Sequence, residues 1–144
     1  MTTPGADLPP VEFAFPGPLR DRLVAAIVSG EKTSTSSLLV QYDADDEELP
    51  VVGSRGAVID SAGQPVLVVE TTSVEVARLA DVPLAHAVDE GEGFTTVAEW
   101  RAGHEEFWGS AEVLAELPDG FRLDDDTEIV MERFRVVGAA DRPA

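Results

Sequence analysis

The sequence contains no cysteine, a single lysine and no long hydrophobic run. Without cysteine the chain cannot form disulfides, bind zinc through thiolates or use a cysteine nucleophile. No apolar run approaches the roughly 20 residues that cross a bilayer. The first ten residues, MTTPGADLPP, also lack the basic and apolar regions of a secretory signal. We therefore predict a cytoplasmic protein that does not contact a membrane.

Positive charge is also scarce, because 10 basic residues stand against 28 acidic ones and leave a net charge of −18. Proteins that bind nucleic acid usually neutralise phosphates with lysine and arginine, so the composition predicts no extended duplex partner. The acidic residues cluster at 43–48, 89–92 and 124–128. We interpret these clusters as solvated, self-repelling loops. A compact pocket for one or two nucleotides stays compatible with this charge.

The length and the composition indicate one globular domain. A chain of 144 residues that is 44% hydrophobic can bury a single core without staples. Residues 1–14 are rich in proline and show no clean period, so we predict an extended lead-in there. We predict one domain over residues 15–138 and a tail over residues 139–144.

The sequence of the first half of the domain predicts a helix followed by a polar loop. Proline at position 18, apolar residues at helical spacing and a terminal glycine predict a helix over residues 19–29. The run of hydroxylic residues at 33–37 competes with regular backbone pairing through local hydrogen bonds. We therefore expect a polar loop there, which leads into residues 38–42.

The sequence of the second half of the domain predicts a hairpin, a capped helix and a final strand. Two β-branched segments, 55–60 and 65–76, flank the turn sequence SAGQ. Residues 84–88 are compatible with one or two helical turns, and their type stays open. Thr96 and Glu99 have the spacing of a capping box at the start of a helix, and residues 127–137 alternate as a strand. Together these elements predict an α+β fold built on a small β-barrel with flanking helices.

Lys32 is the first candidate for chemistry, since lysine can lose its proton when burial lowers its pKa and arginine cannot. It precedes a run of hydroxyls that offers a nucleophile of the serine-lysine or threonine-amine kind. The plainer alternative is that one lysine among ten basic residues needs no explanation. Most of the hydroxyls are then ordinary turn formers.

The two histidines, His86 and His104, lack a metal-binding spacing such as HExxH, so we predict no metal site. If residues 84–88 are helical, His86 shares a face with Glu90 at the edge of a glycine-rich break. His104 falls on one helical face with Trp100 and Phe107, which favours a hydrogen-bonded position in or beside the core. The alternative to a core role is that these aromatic rings stack on the bases of a nucleic acid.

Four segments together resemble the ASCH domain family. They are the GEKTST segment at 30–35, AHAVDEGEGF at 85–94, the helix with Trp100, Arg101, His104 and Phe107, and the closing DDTEIVMERFRVV at 125–137. The resemblance spans roughly residues 15–137. It implies a PUA-like, mixed or antiparallel β-barrel with flanking helices, in agreement with the fold predicted above.

The resemblance also implies a function connected with RNA or nucleosides. One branch of the family hydrolyses the amide of N4-acylated cytidines. Its functional lysine, threonine and glutamate carry over to Lys32, Thr35 and Glu90, which we take as catalytic candidates. The ligand-binding candidates beside them are Thr33, Ser34, Glu92, Arg101 and His104. No metal or other cofactor is implied.

Three functions follow as alternatives. The first is hydrolysis of a small modified nucleoside of the N4-acylcytidine type, the second is cleavage of single-stranded RNA, and the third is a non-catalytic RNA-binding or ligand-binding regulatory module. The expected partner is a nucleoside or short single-stranded RNA. The net charge of −18 favours the nucleoside, since a nucleoside carries no phosphate to be repelled.

Overall fold

The computed structural model describes residues 8–139. Within this range five strands form one mixed sheet: Pro10–Val11 (β1), Ser34–Leu38 (β2), Arg55–Ile59 (β3), Pro65–Arg78 (β4) and Glu128–Ala139 (β5). The order across the sheet is β1-β3-β4-β5-β2. β1 runs parallel to β3, and the other neighbours are antiparallel. The sheet curls into a half-barrel with β1 and β2 at its free edges, which confirms the predicted α+β fold.

Helices flank this sheet and join its strands. They are Pro18–Ser29 (α1), Leu39–Ala44 (α2), Leu84–Asp89 (α3), Val97–Trp108 (α4) and Ala111–Leu114 (α5), with a 3-10 turn at Leu79–Asp81. None of the helices within residues 8–139 has the length and apolar character that a bilayer-spanning helix needs.

The helices predicted from capping signals are confirmed. α1 begins with Pro18 in its first turn and ends at Gly30, whose φ of 88° lets its N–H donate to Ile27 O. α4 begins with the predicted capping box. The Thr96 hydroxyl accepts from Glu99 N at 3.1 Å, and the Glu99 carboxylate accepts from Thr96 N at 3.2 Å.

The predicted hairpin is β3 and β4, which pair from Arg55 opposite Glu70 to Ile59 opposite Pro65. β4 continues well beyond β3 and forms a long ladder with β5 that contains two register shifts. Arg135 and Arg55 both donate to the Glu70 carboxylate. Glu70 is therefore part of a surface ion pair and does not face the core.

The polar loop predicted for residues 33–37 is wrong, because residues 34–38 form β2. This strand pairs with β5 from Ser34 opposite Arg133 to Leu38 opposite Ile129. Long-range backbone pairing outweighs the local preference of hydroxylic residues, whose side chains find partners in other elements instead. The segment that follows β2 continues directly into α2.

The sheet also draws on the segment predicted as a lead-in. Pro10 and Val11 pair with Ala57 and Val58, and Phe13 is buried. Residues 1–7 of the lead-in and residues 140–144 of the predicted tail lie outside the described residues.

Two hydrophobic clusters fill the fold. The first packs α3, α4 and α5 against β2 and β5 through the buried residues Leu38, Leu79, Val82, Ala87, Trp100, Trp108, Val113, Leu117, Ile129 and Met131. The second packs α1 against the other part of the sheet through Phe13, Val24, Ile27, Val58, Leu67, Val69 and Phe134. Leu38 of β2 belongs to the first cluster, and the Lys32 amine just before β2 lies 5.6 Å from the ring of Phe13 in the second, so the candidate site lies next to both clusters.

Candidate functional site

A broad cleft of about 1670 Å³ runs past the free edge of β2. Its walls come from the segment before α1, from β2, from the turn after α3, from α4 and from β5. The residues of chemical interest among its lining are Lys32, Thr35, Ser36, Ser37, Tyr42, Thr71, Glu90, Glu92, His104 and Glu132. The cleft therefore contains all three residues that were predicted as catalytic.

The amine of Lys32 lies at the free edge of β2. Thr33 O accepts from Phe134 N on the β5 side, so the next carbonyl along the strand, Ser34 O, points to the unpaired edge. Lys32 Nζ donates to Ser34 O at 2.9 Å and to Glu90 O at 3.2 Å. It also lies 3.7 Å from Glu90 Oε1, and only 2% of Lys32 is exposed.

Glu90 is a buried carboxylate with donors on both oxygens. Oε2 accepts from Trp100 Nε1 at 2.5 Å and from Ser36 Oγ at 2.6 Å. Oε1 lies 3.2 Å from His104 Nε2. Only 1% of Glu90 is exposed, so its charge is stable there because these donors replace water.

The surroundings shift the pKa values of this pair in ways that the contacts explain. Burial lowers the pKa of Lys32, although the charges of Glu90 and Glu92 oppose the shift. Burial alone would raise the pKa of Glu90, but hydrogen bonds from His104 and His86 and the charges of His104 and Lys32 hold it well below its usual value. Glu90 is therefore ionised. Lys32 loses its proton at a lower pH than an exposed lysine does.

His104 faces an acceptor with each ring nitrogen. Nδ1 lies 2.9 Å from the carbonyl of Trp100, and Nε2 lies 3.2 Å from Glu90 Oε1. Only the doubly protonated ring donates to both. Burial acts to lower the pKa of His104, but the hydrogen bond and charge of Glu90 prevail and raise it.

Among residues 8–139, Glu90, Glu92 and His104 have the spacing of a metal-ligand set, since one ligand atom from each lies within 4.8 Å of the others. Both His104 nitrogens are engaged with acceptors, and the Lys32 amine lies beside Glu90. In this arrangement neither imidazole nitrogen offers a lone pair to a metal ion. The group is an ion-pair network around one carboxylate.

The turn after α3 holds Glu90 against the Lys32 segment. Thr33 N donates to Asp89 O at 2.8 Å, and Arg133 donates to the Asp89 carboxylate at 2.9 Å. Gly91 follows with φ of +70°, and a Cβ there would lie 2.7 Å from the backbone of Glu31 and Lys32. Only glycine permits this close approach, so the glycine-rich break is part of the site.

Thr35 lies on the other face of β2. Side chains alternate along a strand, and those of Ser34 and Ser36 point toward α3, where they contact His86 O and His86 Nε2. Thr35 is the cross-strand partner of Glu132 and is half-buried. The structure therefore brings Lys32 and Glu90 together at the strand edge, and Thr35 lines the same cleft from the opposite face of β2.

The predicted ligand-binding residues divide into two groups. His104 and Glu92 line the cleft. Thr33, Ser34 and Arg101 are outside its lining: Ser34 is fully buried beneath His86, and Arg101 pairs with Asp125 at 2.7 Å. The structure thus does not bring Arg101 to the site.

Three residues of the site have contacts that the sequence did not predict: Ser36, Trp100 and Glu132. Trp100, predicted as core or as a stacking ring, is buried but uses its indole N–H to bind Glu90. Ser36 and Glu132 become visible once residues 34–38 are treated as a strand, because alternation then assigns Ser36 to the Glu90 face and pairs Thr35 with Glu132. His86 and Glu90 do share the helical face that was predicted, with 3.3 Å between Nε2 and Oε2.

Two solved structures cover most of the chain. Protein EF3133 from Enterococcus faecalis V583, described with the family model DUF984, is 30% identical over 91% of this chain and 77% of its own, with a TM-score of 0.79. The ASCH domain from Lactobacillus crispatus JV V101 is 29% identical over 90% of this chain and 79% of its own, with a TM-score of 0.78. The hypothetical protein PH0355 shares the fold at 16% identity, covers 81% of this chain and 93% of its own, and has a TM-score of 0.51.

The chain matches none of the curated proteins with which it was compared. The family model described as the ASCH domain matches residues 12–138, which include the sheet edge formed by β2 and every cleft residue named above. This coverage agrees with the two bacterial structures in fold and in extent, and the chain belongs to the ASCH domain family.

Proposed function

We propose that this protein binds a small, uncharged modified nucleoside in the cleft and hydrolyses an amide on it. The single observation that carries the proposal is the position of the buried Lys32 amine at the free edge of β2. The amine donates to the carbonyl of Ser34, the residue before Thr35, and lies 3.7 Å from Glu90 Oε1. An amine, a carboxylate and a hydroxyl around one cleft suit acyl transfer better than they suit a purely structural role.

The chemistry proceeds through Thr35. Its hydroxyl attacks the acyl carbon of the amide, and the neutral Lys32 amine takes the hydroxyl proton. The bond between the acyl carbon and nitrogen then breaks, and the Lys32 ammonium returns the proton to the leaving nitrogen. Water hydrolyses the resulting ester on Thr35, which releases the carboxylic acid and restores the hydroxyl.

Glu90 has a positioning role in this scheme. Its oxygens already accept from Trp100, Ser36 and His104, and its pKa is held low, so it is a poor carrier of protons. It orients the Lys32 amine through its backbone carbonyl and its carboxylate.

An uncharged ligand is favoured by the acidic side chains around the cleft. Glu90, Glu92 and Glu132 all line it, and the whole chain carries a net charge of −18. Phosphates are repelled by such a surface, whereas a nucleoside is not. The same charge argues against RNA cleavage as the main activity.

The test is turnover of N4-acetylcytidine, followed by chromatography of the released cytidine, with single-stranded RNA as the alternative substrate. We expect cytidine release by the natural sequence. Lys32→Arg keeps a cation but removes the neutral amine, so turnover falls by about 10²- to 10⁴-fold. Arg122→Lys, an exposed change outside the cleft, is the matched control and leaves turnover unchanged.

Thermal melting of each variant separates loss of chemistry from loss of folding. RNA cleavage without cytidine release contradicts the proposal in favour of a ribonuclease. Undiminished turnover by a folded Lys32→Arg variant removes the base role from Lys32 and points to a cation that binds an anion or an oxyanion.

A further inference from the structure

The face of β2 that carries Thr35 has its own carboxyl group. Thr35 and Glu132 are direct partners in the β2–β5 ladder. Partner residues in an antiparallel ladder project from the same face with Cβ atoms about 5 Å apart. Glu132 lines the cleft with Thr35, and the family resemblance, whose closing segment contains this residue, assigned it no role.

Glu132 is surrounded by polar groups that fix one of its oxygens. Thr71 Oγ1 donates to Glu132 Oε2 at 2.8 Å. The nearby hydroxyls of Ser37 and Tyr42 are hydrogen-bonded to each other at 3.1 Å. Within residues 8–139, no hydrogen-bond donor contacts Glu132 Oε1. We call Thr35, Ser37, Tyr42, Thr71 and Glu132 the Glu132 subsite.

The second carboxyl oxygen of Glu132 is free to accept a hydrogen bond from a molecule in the cleft. Glu132 is half-buried, and burial raises its pKa although the Thr71 hydrogen bond opposes the shift. Among the described residues no buried side-chain oxygen or nitrogen lacks a hydrogen-bond partner, so Glu132 Oε1 is not sealed from solvent. A ligand N–H suits this oxygen, because a carboxylate oxygen accepts hydrogen bonds and does not donate them.

We propose that Glu132 is a specificity-determining residue that accepts a hydrogen bond from the N–H of the ligand next to the carbon that Thr35 attacks. The inference rests on the proposed function. In a secondary amide the N–H is one bond from the attacked carbon, so it lies within reach of the residue directly opposite Thr35. The cleft therefore selects nucleosides with an N–H at the base amine or amide and rejects those in which that nitrogen carries no hydrogen.

Isothermal titration calorimetry with cytidine and N4,N4-dimethylcytidine tests this selection, because the two probes differ in the N–H groups on N4. We expect the natural sequence to bind cytidine at least about tenfold more tightly than N4,N4-dimethylcytidine, which is the affinity that a hydrogen bond to a carboxylate contributes. Glu132→Leu removes both acceptor oxygens and abolishes the preference. Glu132→Gln keeps one acceptor oxygen and retains part of it.

Glu75→Leu is the matched control, since Glu75 is exposed on β4 and lies outside the cleft, and it retains the full preference. Circular dichroism establishes that each variant is folded. Equal binding of the two probes by the natural sequence, or an unchanged preference in Glu132→Leu, overturns the role of Glu132 and leaves nucleoside binding intact. Binding of neither probe contradicts the proposed function and this inference together.

Discussion

At the scale of single residues, the site is a set of buried charges with complementary partners. Lys32, Glu90 and His104 are each nearly inaccessible to water, and each hydrogen-bonds to at least one other element. Removing one member of such a network leaves another charge unpaired, which costs far more than an exposed ion pair would. Changes in this network therefore affect stability, whereas changes on the Thr35 face mainly affect function.

This difference predicts opposite outcomes for two adjacent hydroxyl residues. Thr35→Val keeps the shape of the side chain and removes only the hydroxyl that we propose as the nucleophile, so we expect turnover of N4-acetylcytidine to be lost and stability to change little. Ser36→Ala takes a donor from the Glu90 carboxylate and costs about 1.5–3 kcal/mol of unfolding free energy.

Urea denaturation and turnover assays on both variants check this prediction. Thr35→Ser is the control that retains a hydroxyl and should retain turnover. Loss of turnover in a stable Ser36→Ala variant, with turnover retained in Thr35→Val, would instead make Ser36 the nucleophile, with His86 2.7 Å from its hydroxyl.

A second residue-scale prediction concerns pH. The pKa of His104 is raised because Glu90 outweighs the opposing effect of burial, so folding favours the protonated ring. The resulting stabilisation is complete below the ordinary histidine pKa of 6.5 and is lost as the pH rises through the raised value in the folded protein.

The measurement is the melting temperature of the natural sequence and of His104→Gln at a series of pH values from below 6.5 upward. We expect the difference between the two proteins to be largest at the acidic end and to narrow as the pH rises. A difference that widens with rising pH contradicts the assignment of a protonated His104.

At the scale of elements, the site depends on how α3 ends. Gly91 and Gly93 both have positive φ values, of 70° and 88°, after the C-terminus of this helix. A Cβ at Gly91 would meet the backbone of Glu31 and Lys32, whereas a Cβ at Gly93 would meet open space. Alanine at position 93 therefore introduces backbone strain alone, whereas alanine at position 91 introduces the same strain and a steric clash.

Gly93→Ala is expected to cost about 1–2 kcal/mol through strain alone. Gly91→Ala adds a clash with backbone that cannot move aside, and its further cost is about 1–3 kcal/mol. Because the clash is with the Lys32 segment, Gly91→Ala also lowers turnover. Urea denaturation and turnover of both variants test this, and equal losses of stability would contradict the close approach.

The same scale shows where local signals suffice. The capping box at Thr96 and the glycine at position 30 determine helix ends from neighbouring residues alone, and both were predicted. β2 was not predicted, because its hydroxylic residues have weak strand signals and its pairing partner lies about a hundred residues away in β5. Local propensity carries no information about that partner.

At the scale of the whole molecule, the net charge of −18 governs encounters with polyanions. Few basic groups are available to release counterions from a phosphate chain, so we expect a Kd for single-stranded RNA weaker than about 10⁻⁴ M at physiological salt. The affinity should not increase with RNA length beyond a few nucleotides.

Fluorescence anisotropy with labelled single-stranded RNAs of increasing length measures this, with cytidine binding in the same buffer as the positive control. Tight binding that grows with length would show that a basic track exists despite the composition. It would also favour the RNA-binding alternative over the nucleoside.

The sequence by itself determined the α+β class, the hairpin and the two capped helices, and it singled out Lys32 and Glu90 as candidates, because periodicity, caps and short motifs are local properties. It also related His86 to Glu90, which are four residues apart in one helix. The tertiary structure decided that Lys32 lies at a free sheet edge, that Thr35 and Ser36 point to opposite faces, and that Glu132 lies opposite Thr35. These relations depend on strand pairing and on the curl of the sheet, which join residues far apart in the chain and leave no trace in any single segment.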